Sequence, residues 1–261
     1  MHDTRSRFDT GAATHVGMVR QRNEDSFLVR PEAGLWAVAD GMGGEQSGDL
    51  ASHTVIEALQ HVPPPASASE LLGHCEDRVV EANAALKRIA AERGDGSIVG
   101  TTIAVLLIFD SYYACVWAGD SRIYRVRGAT IEQISRDHTE VQELVQDGVL
   151  SPEEARNHPG RNVITRAIGI YEDPELEMEH GALEPGDVFV ICSDGLFAHV
   201  REQEILGYVA RSSSQEACDA MVALTLERGA VDNVTVIVVR YLPADVSAAA
   251  PADHGSPGSG E

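Results

Sequence analysis

Apolar residues follow two spacings along this chain. Leu35 to Ala39, Thr102 to Phe109, Tyr112 to Ala118, Val188 to Cys192 and Val234 to Tyr241 are short, nearly continuous apolar runs bounded by Gly, Asp or Pro, which predicts strands. Ser26 to Val29, Ile123 to Val126 and a weaker Ile131 to Ile134 add three more. Elsewhere the period is helical. From Gly48 onward Ala51, Val55, Ala58, Leu59 and Val62 share one face, and "VPPPAS" closes that helix. Leu72, Cys75, Val79, Ala82, Leu86 and Ile89 recur at alternating three and four, with Gly94 as the expected stop. Two further helices are predicted around Glu202 to Val209 and Glu216 to Arg228.

Closely spaced strands between residues 102 and 134 predict antiparallel meanders. The pattern then turns helical over residues 137–169, where Ser151, Pro152 and Glu154 form a capping box with proline at the first helical position. This connection reads as a packed helical insert or as a flap over a site. Strands in runs, with helices grouped between them, predict an α+β fold for residues 1–242 as one domain. The tail, residues 243–261, is rich in Ala, Gly, Ser and Pro and is expected to be disordered.

Composition narrows the partners. The chain has 261 residues, 43% of them hydrophobic, enough for a substantial core. Twenty Lys and Arg against 41 Asp and Glu give a formal charge of −21, which repels nucleic acid and anionic membranes. Any phosphate handled here needs local positive charge from a few arginines or from bound cations. "MHDTRSRFDT" lacks the apolar core of a signal peptide, and the longest apolar stretch, Ile103 to Phe109, is too short for a bilayer, so a stand-alone cytoplasmic protein is expected. Cys75, Cys115, Cys192 and Cys218 form no CxxC pair and read as reduced core residues.

The candidate chemistry lies at strand ends. Asp40, Asp120 and Asp194 each end a strongly apolar strand and Asp232 begins one. Asp-Gly is a common hairpin turn, yet after Asp40-Gly41 and Asp194-Gly195 the chain enters helical pattern instead of a returning strand. If these ends converge, like charges raise one another's pKa, and hard divalent cations bound by oxygen ligands relieve the repulsion. Two such ions about 3.5–4 Å apart would hold a bridging water as hydroxide for in-line attack on phosphorus. In "VRQRNEDSF", Arg20 offers a bidentate fork for a phosphoryl group, while Glu24 and Asp25 can accept hydrogen bonds from metal-bound waters.

"VRQRNED", "AVADGMGGEQSGD", "GTTIAVLLI", "WAGDSRIYRVR", "SRDHT", "RNVITRAIG", "VICSDGLF" and "DNVTVIVV", in this order across roughly residues 8–241, resemble the bacterial branch of the metal-dependent Ser/Thr protein phosphatases, protein phosphatase type 2C. The resemblance implies a four-layer αββα sandwich, two antiparallel sheets flanked by helices, with a dinuclear Mn²⁺ or Mg²⁺ site at one end. Asp40 would bridge both ions, the Gly41 carbonyl would bind the second, Asp194 and Asp232 would ligate the first, and Arg20 would hold the phosphate. A third ion, often bound in the bacterial branch, matches Asp120 and Asp194, and Glu24 with Asp25 would order outer waters. Residues 137–169 would be the flap. The implied partners are phosphorylated proteins and a cognate Ser/Thr kinase, with a monomeric enzyme.

Two positions depart from the family. Animal members carry a histidine after the DG pair where this chain has Met42, and many bacterial relatives have histidine where this chain has Glu45. The leaving alkoxide still needs a proton, which points to metal-bound water or to a histidine such as His138. Arg161 and Arg166 in the flap could receive phosphopeptides or form surface salt bridges. Two alternatives stand beside the protein phosphatase: a catalytically silent phosphoprotein-binding regulator, and a phosphatase of small phosphoesters.

Overall fold

The computed structural model describes residues 8–43, 47–94, 96, 98–156 and 158–242. The elements run β1 (Phe8–His15), β2 (Asp25–Arg30), β3 (Leu35–Gly43), α1 (Gly48–Gln60), α2 (Ala68–Arg93), β4 (Val99–Thr101), β5 (Ile103–Phe109), β6 (Tyr112–Ala118), β7 (Arg122–Arg127) and β8 (Thr130–Gln133). There follow α3 (Glu140–Gln146), α4 (Pro152–Arg156), β9 (Glu177–Ala182), β10 (Val188–Cys192), α5 (Asp194–Phe197), α6 (Glu202–Arg211), α7 (Ser214–Glu227) and β11 (Val234–Tyr241). Glu45 and the tail expected to be disordered lie outside the described residues.

Two antiparallel sheets stack face to face. One has the order β1-β11-β10-β7-β8, and the other β2-β3-β5-β6-β9, with β4 pairing β3. Helices α1 and α2 cover the outer face of the second sheet, and α5, α6 and α7 that of the first. The continuous apolar strands follow directly from this layering, because successive side chains enter different cores. Leu35, Ala37 and Ala39 pack under α1 and α2, whereas Trp36 and Val38 pack between the sheets. In β10, Phe189 and Ile191 face the other sheet, while Val188, Val190 and Cys192 face the helices. A shift of one residue in either strand would exchange two buried faces of different shape.

The meander expected over residues 102–134 is divided between the sheets. β5 pairs β6 and β7 pairs β8, but Gly119, at φ 109°, carries the chain from one sheet into the other. Asp120 and Ser121 occupy that crossing. Three strands were not foreseen: β4, only three residues long, and β1 and β9, both sheet edges, where one rim is solvated and apolar alternation fades. β1 joins β11 from Phe8↔Tyr241 to His15↔Val234, so the two ends of the described chain lie side by side.

Residues 137–169 are less helical than their pattern predicts. Gly148, at φ 70°, and Pro159-Gly160 interrupt the run, leaving α3 and α4 as short helices. The Ser151 hydroxyl and Glu154 carboxylate close the expected capping box on α4. Both ends of the segment are fastened: Thr165 N–H donates to the His138 carbonyl at 2.9 Å, Thr101 and Ile168 exchange backbone bonds, and Gly169 N–H donates to Asn83 Oδ1 at 2.6 Å.

Candidate functional site

The open end of the sandwich gathers the acids named from the sequence. Asp25 stands directly opposite Asp40 in the β2–β3 ladder, and both side chains lie on the face turned toward the other sheet. From that sheet come Asp194, two residues beyond β10, and Asp232, two residues before β11. Asp120 joins them from the crossing loop. Asp40 feels the charges of Asp25, Asp194, Asp120 and Asp232 together; burial and then these neighbours hold its pKa well above the ordinary 3.8. Burial first, with Asp232 adding, lifts Asp194 to about 6, and its contact with Asp40 works in the opposite direction. Asp25 rises to about 7 and Asp120 to about 8, in both cases chiefly by burial.

The two Asp-Gly pairs are explained by close approach of main chain. A Cβ on Gly41 would lie 2.0 Å from the Gly48 carbonyl oxygen and 2.7 Å from that of Glu24. One on Gly195 would lie 1.8 Å from the Asn233 carbonyl oxygen. Glycine at the first position seats β3 against the start of α1, and at the second it brings the Asp194 turn onto the Asp232 strand. The glycines thus draw the carboxylate-bearing segments together.

Hydroxyl groups hold the acids from behind, and sequence reasoning missed them. Thr102 Oγ1 accepts the Asp40 N–H at 3.0 Å and lies 2.7 Å from the Ser121 hydroxyl beside Asp120. Asp40's carbonyl accepts Thr102 N–H at 2.8 Å and the Thr101 hydroxyl at 2.9 Å. Ser193 donates its hydroxyl to Asp25 Oδ2 at 2.8 Å and accepts Thr235 N–H at 3.0 Å. The signal was present as "GTT" and "CSDG", but single hydroxyls beside apolar runs carry no periodicity.

Arg20 donates to Asp232 Oδ2 at 2.7 Å, with about half of its side chain exposed, and that bond is the main cause of its raised pKa. Glu24 lies against the first turn of α1, where it accepts the Gly48 N–H; burial raises its pKa. His138 is buried, accepts the Gly119 N–H on Nδ1 at 3.2 Å and holds Glu177 through Nε2 at 2.6 Å. A ring nitrogen that accepts from a backbone N–H leaves the proton on the other, so Nε2–H is the donor to Glu177; burial lowers the pKa further. With both nitrogens engaged, His138 braces the Gly119 turn. Arg166 pairs with Glu175 at 3.3 Å, and Arg161 forms no ion pair among the described residues.

Among the described residues, no three His, Cys, Asp or Glu groups already close on one point as a complete ligand set. Asp40 faces Asp194, and Asp232 is held by Arg20. The donor chemistry nonetheless fits hard divalent cations. Every candidate ligand is oxygen, the five acids outnumber the two arginines that act on them, Arg20 and Arg122, and the buried Asp25 Oδ1 has no partner.

Comparison with known proteins gives a consistent picture. A family model described as Protein phosphatase 2C matches residues 15–227. The serine/threonine protein phosphatase PstP of Mycobacterium tuberculosis is 37% identical over 235 residues, 90% of this chain, and the chain spans less than half of that relative, 45% of its length. The serine/threonine phosphatase stp of Listeria welshimeri is 30% identical over 87% of this chain and 93% of its own. Among solved structures, PppA, a key regulatory component of T6SS in Pseudomonas aeruginosa, superposes with a TM-score of 0.84 at 39% identity, covering 90% of this chain and 98% of that one. The catalytic domain of PstP in complex with 2 manganese ions gives 0.80 at 34% identity, over 91% and 99%.

Proposed function

The chain belongs to the protein phosphatase 2C family, and from that premise we propose that residues 1–242 form one catalytic domain that hydrolyses phosphoserine and phosphothreonine on proteins with bound Mn²⁺ or Mg²⁺. One observation carries this reading: Asp25, Asp40, Asp120, Asp194 and Asp232 converge at one end of the sandwich, where burial first and neighbouring carboxylates second raise the pKa of Asp25, Asp40, Asp120 and Asp194. Uncompensated buried carboxylates are costly, and a cation site is the arrangement that repays them. The manganese-bound PstP catalytic domain, similar over 91% of this chain, adds support.

Asp40, Asp194, Asp232 and the Gly41 carbonyl would hold two ions, and Asp120 with Asp194 a third. When bound, such ions activate water and withdraw charge from phosphoryl oxygens. Arg20, at the rim beside Asp232, would receive the phosphoryl group through its guanidinium fork. Glu24 and Asp25 would orient solvent from the next layer. Residues 137–169, tied at both ends near Asp40 and Asp120, would frame the entry for the peptide, with Arg161 and Arg166 facing it. The protein would oppose a Ser/Thr kinase, in the cytoplasm, as a monomer.

The test is phosphate release from a phosphothreonine peptide with Mn²⁺, with Mg²⁺ and with EDTA, beside Asp40→Asn. Metal-dependent release that the variant loses supports the reading. Inactivity under every metal condition overturns it in favour of a phosphoprotein-binding role, and faster turnover of free phosphothreonine than of the peptide moves the substrate to small phosphoesters.

A further inference from the structure

Asn233, next to Asp232 at the start of β11, is only 4% exposed, and its side chain spends every polar atom on the segment that precedes β2. Nδ2 donates to the Val16 and Arg22 carbonyls at 2.9 Å each, and Oδ1 accepts the Glu24 N–H at 2.8 Å. These three contacts bracket the bend that carries Arg20, with Val16 before it and Arg22 and Glu24 behind. The bend itself is otherwise lightly held. Met18 N–H donates to the Ala230 carbonyl at 2.8 Å, and Met18, Val19 and Arg20 are exposed. At the same residue, the Asn233 main-chain N–H donates to Asp232 Oδ1 at 2.9 Å.

One asparagine therefore fixes both ends of the Arg20–Asp232 pair. Its side chain sets the bend, and its main chain sets the carboxylate. The chemistry is demanding, because the position needs two donors and one acceptor on a short, rigid side chain, which among side chains of this size only an amide supplies. Aspartate would keep the acceptor and turn a carboxylate toward two carbonyl oxygens.

We infer that Asn233 is a positioning residue for Arg20: through Val16, Arg22 and Glu24 it holds the bend so that the guanidinium stands at the rim where a phosphoryl group is received. This rests on the reading of Arg20 as the phosphate holder. The Asn233 side chain touches neither substrate nor reacting atoms, and substituting it leaves the main-chain bond to Asp232 in place. Binding of the phosphorylated substrate should therefore suffer more than turnover.

The experiment compares Asn233→Ala, Arg20→Ala and wild type on a phosphothreonine peptide at saturating Mn²⁺, with inorganic phosphate as a competitive probe. The expected result for Asn233→Ala is a KM and a phosphate inhibition constant each raised about tenfold, with kcat changed by less than about threefold. A fall in kcat at unchanged KM overturns the inference. If Arg20→Ala raises KM and Asn233→Ala does not, the positioning role alone fails; if neither raises KM, the phosphate reading of Arg20 fails with it. Asn233→Ser is the companion should the alanine variant not fold. Amide exchange of the wild-type protein gives an independent readout: the Glu24 N–H should exchange as slowly as the β2 amides, and exchange at the rate of the Val19 amide overturns the clamp.

Discussion

Thr102 stands opposite Asp40 and takes its backbone N–H on the side-chain oxygen at 3.0 Å, while the Thr102 carbonyl shares the Thr101 hydroxyl with the Asp40 carbonyl. A ladder bond has been exchanged for a side-chain bond, and the same oxygen reaches Ser121. Thr102→Val keeps the shape and leaves a buried N–H without a partner, a loss of about 1–3 kcal/mol. Thermal unfolding should show it, together with a weaker Mn²⁺ dependence of activity. Thr102→Ser should recover both; equal behaviour of the Val and Ser variants would show that the hydroxyl is immaterial.

Asp40→Asn should lower phosphatase activity at least about a hundredfold at saturating Mn²⁺. It should not lower the melting temperature of protein kept in chelator, because it removes one of the mutually repelling acids. A variant both inactive and strongly destabilised in chelator would mean that Asp40 serves the fold.

The raised acids set a direction for stability against pH in metal-stripped protein. Unfolded, these groups ionise near the ordinary 3.8, whereas in the fold Asp194 titrates at about 6, Asp25 at about 7 and Asp120 at about 8. Between about pH 4 and pH 8 the native state therefore binds more protons than the unfolded state, and stability falls as pH rises. Urea midpoints in chelator should decrease across that window, and Mn²⁺ added near its upper end should restore the midpoint. A midpoint that climbs with pH in chelator contradicts the assignment.

Gly41→Ala places a methyl group 2.0 Å from the Gly48 carbonyl oxygen. Main chain on both sides cannot yield as a side-chain tip can, so the loss should reach about 3 kcal/mol or prevent folding. A soluble variant with wild-type stability and metal response would show that the β3–α1 junction opens easily.

His138→Asn retains an acceptor for the Gly119 N–H and loses the contact with Glu177. It should cost about 1 kcal/mol of stability while the pH profile of kcat keeps its shape. Loss of one limb of that profile would restore His138 as the proton donor.

The strands and helices were readable where burial was complete. Residues 35–39, 103–109 and 234–241 are apolar on both faces because each lies between two cores, and no other arrangement accounts for such runs beside the helical stripes of α1 and α2. β1, as "FDTGAATH", and β9, as "EMEHGA", were hidden because an edge strand satisfies only one neighbour and need not be apolar. Asp40 and Asp194 stood out through the glycines after them. Asn233 did not, since its partners lie 209 to 217 residues away and their backbone atoms leave no mark in the sequence.

The pairing of β1 with β11 has a consequence for how the protein comes into being. Residues 8–15 leave the ribosome more than two hundred residues ahead of their partner and can pair only once residues 234–241 have followed. Arg20 waits with them for Asp232 and Asn233. The first sheet closes last, and with it the rim of the site, so a growing or prematurely ended chain carries Asp40 and its glycines long before Arg20 and Asp232 can meet.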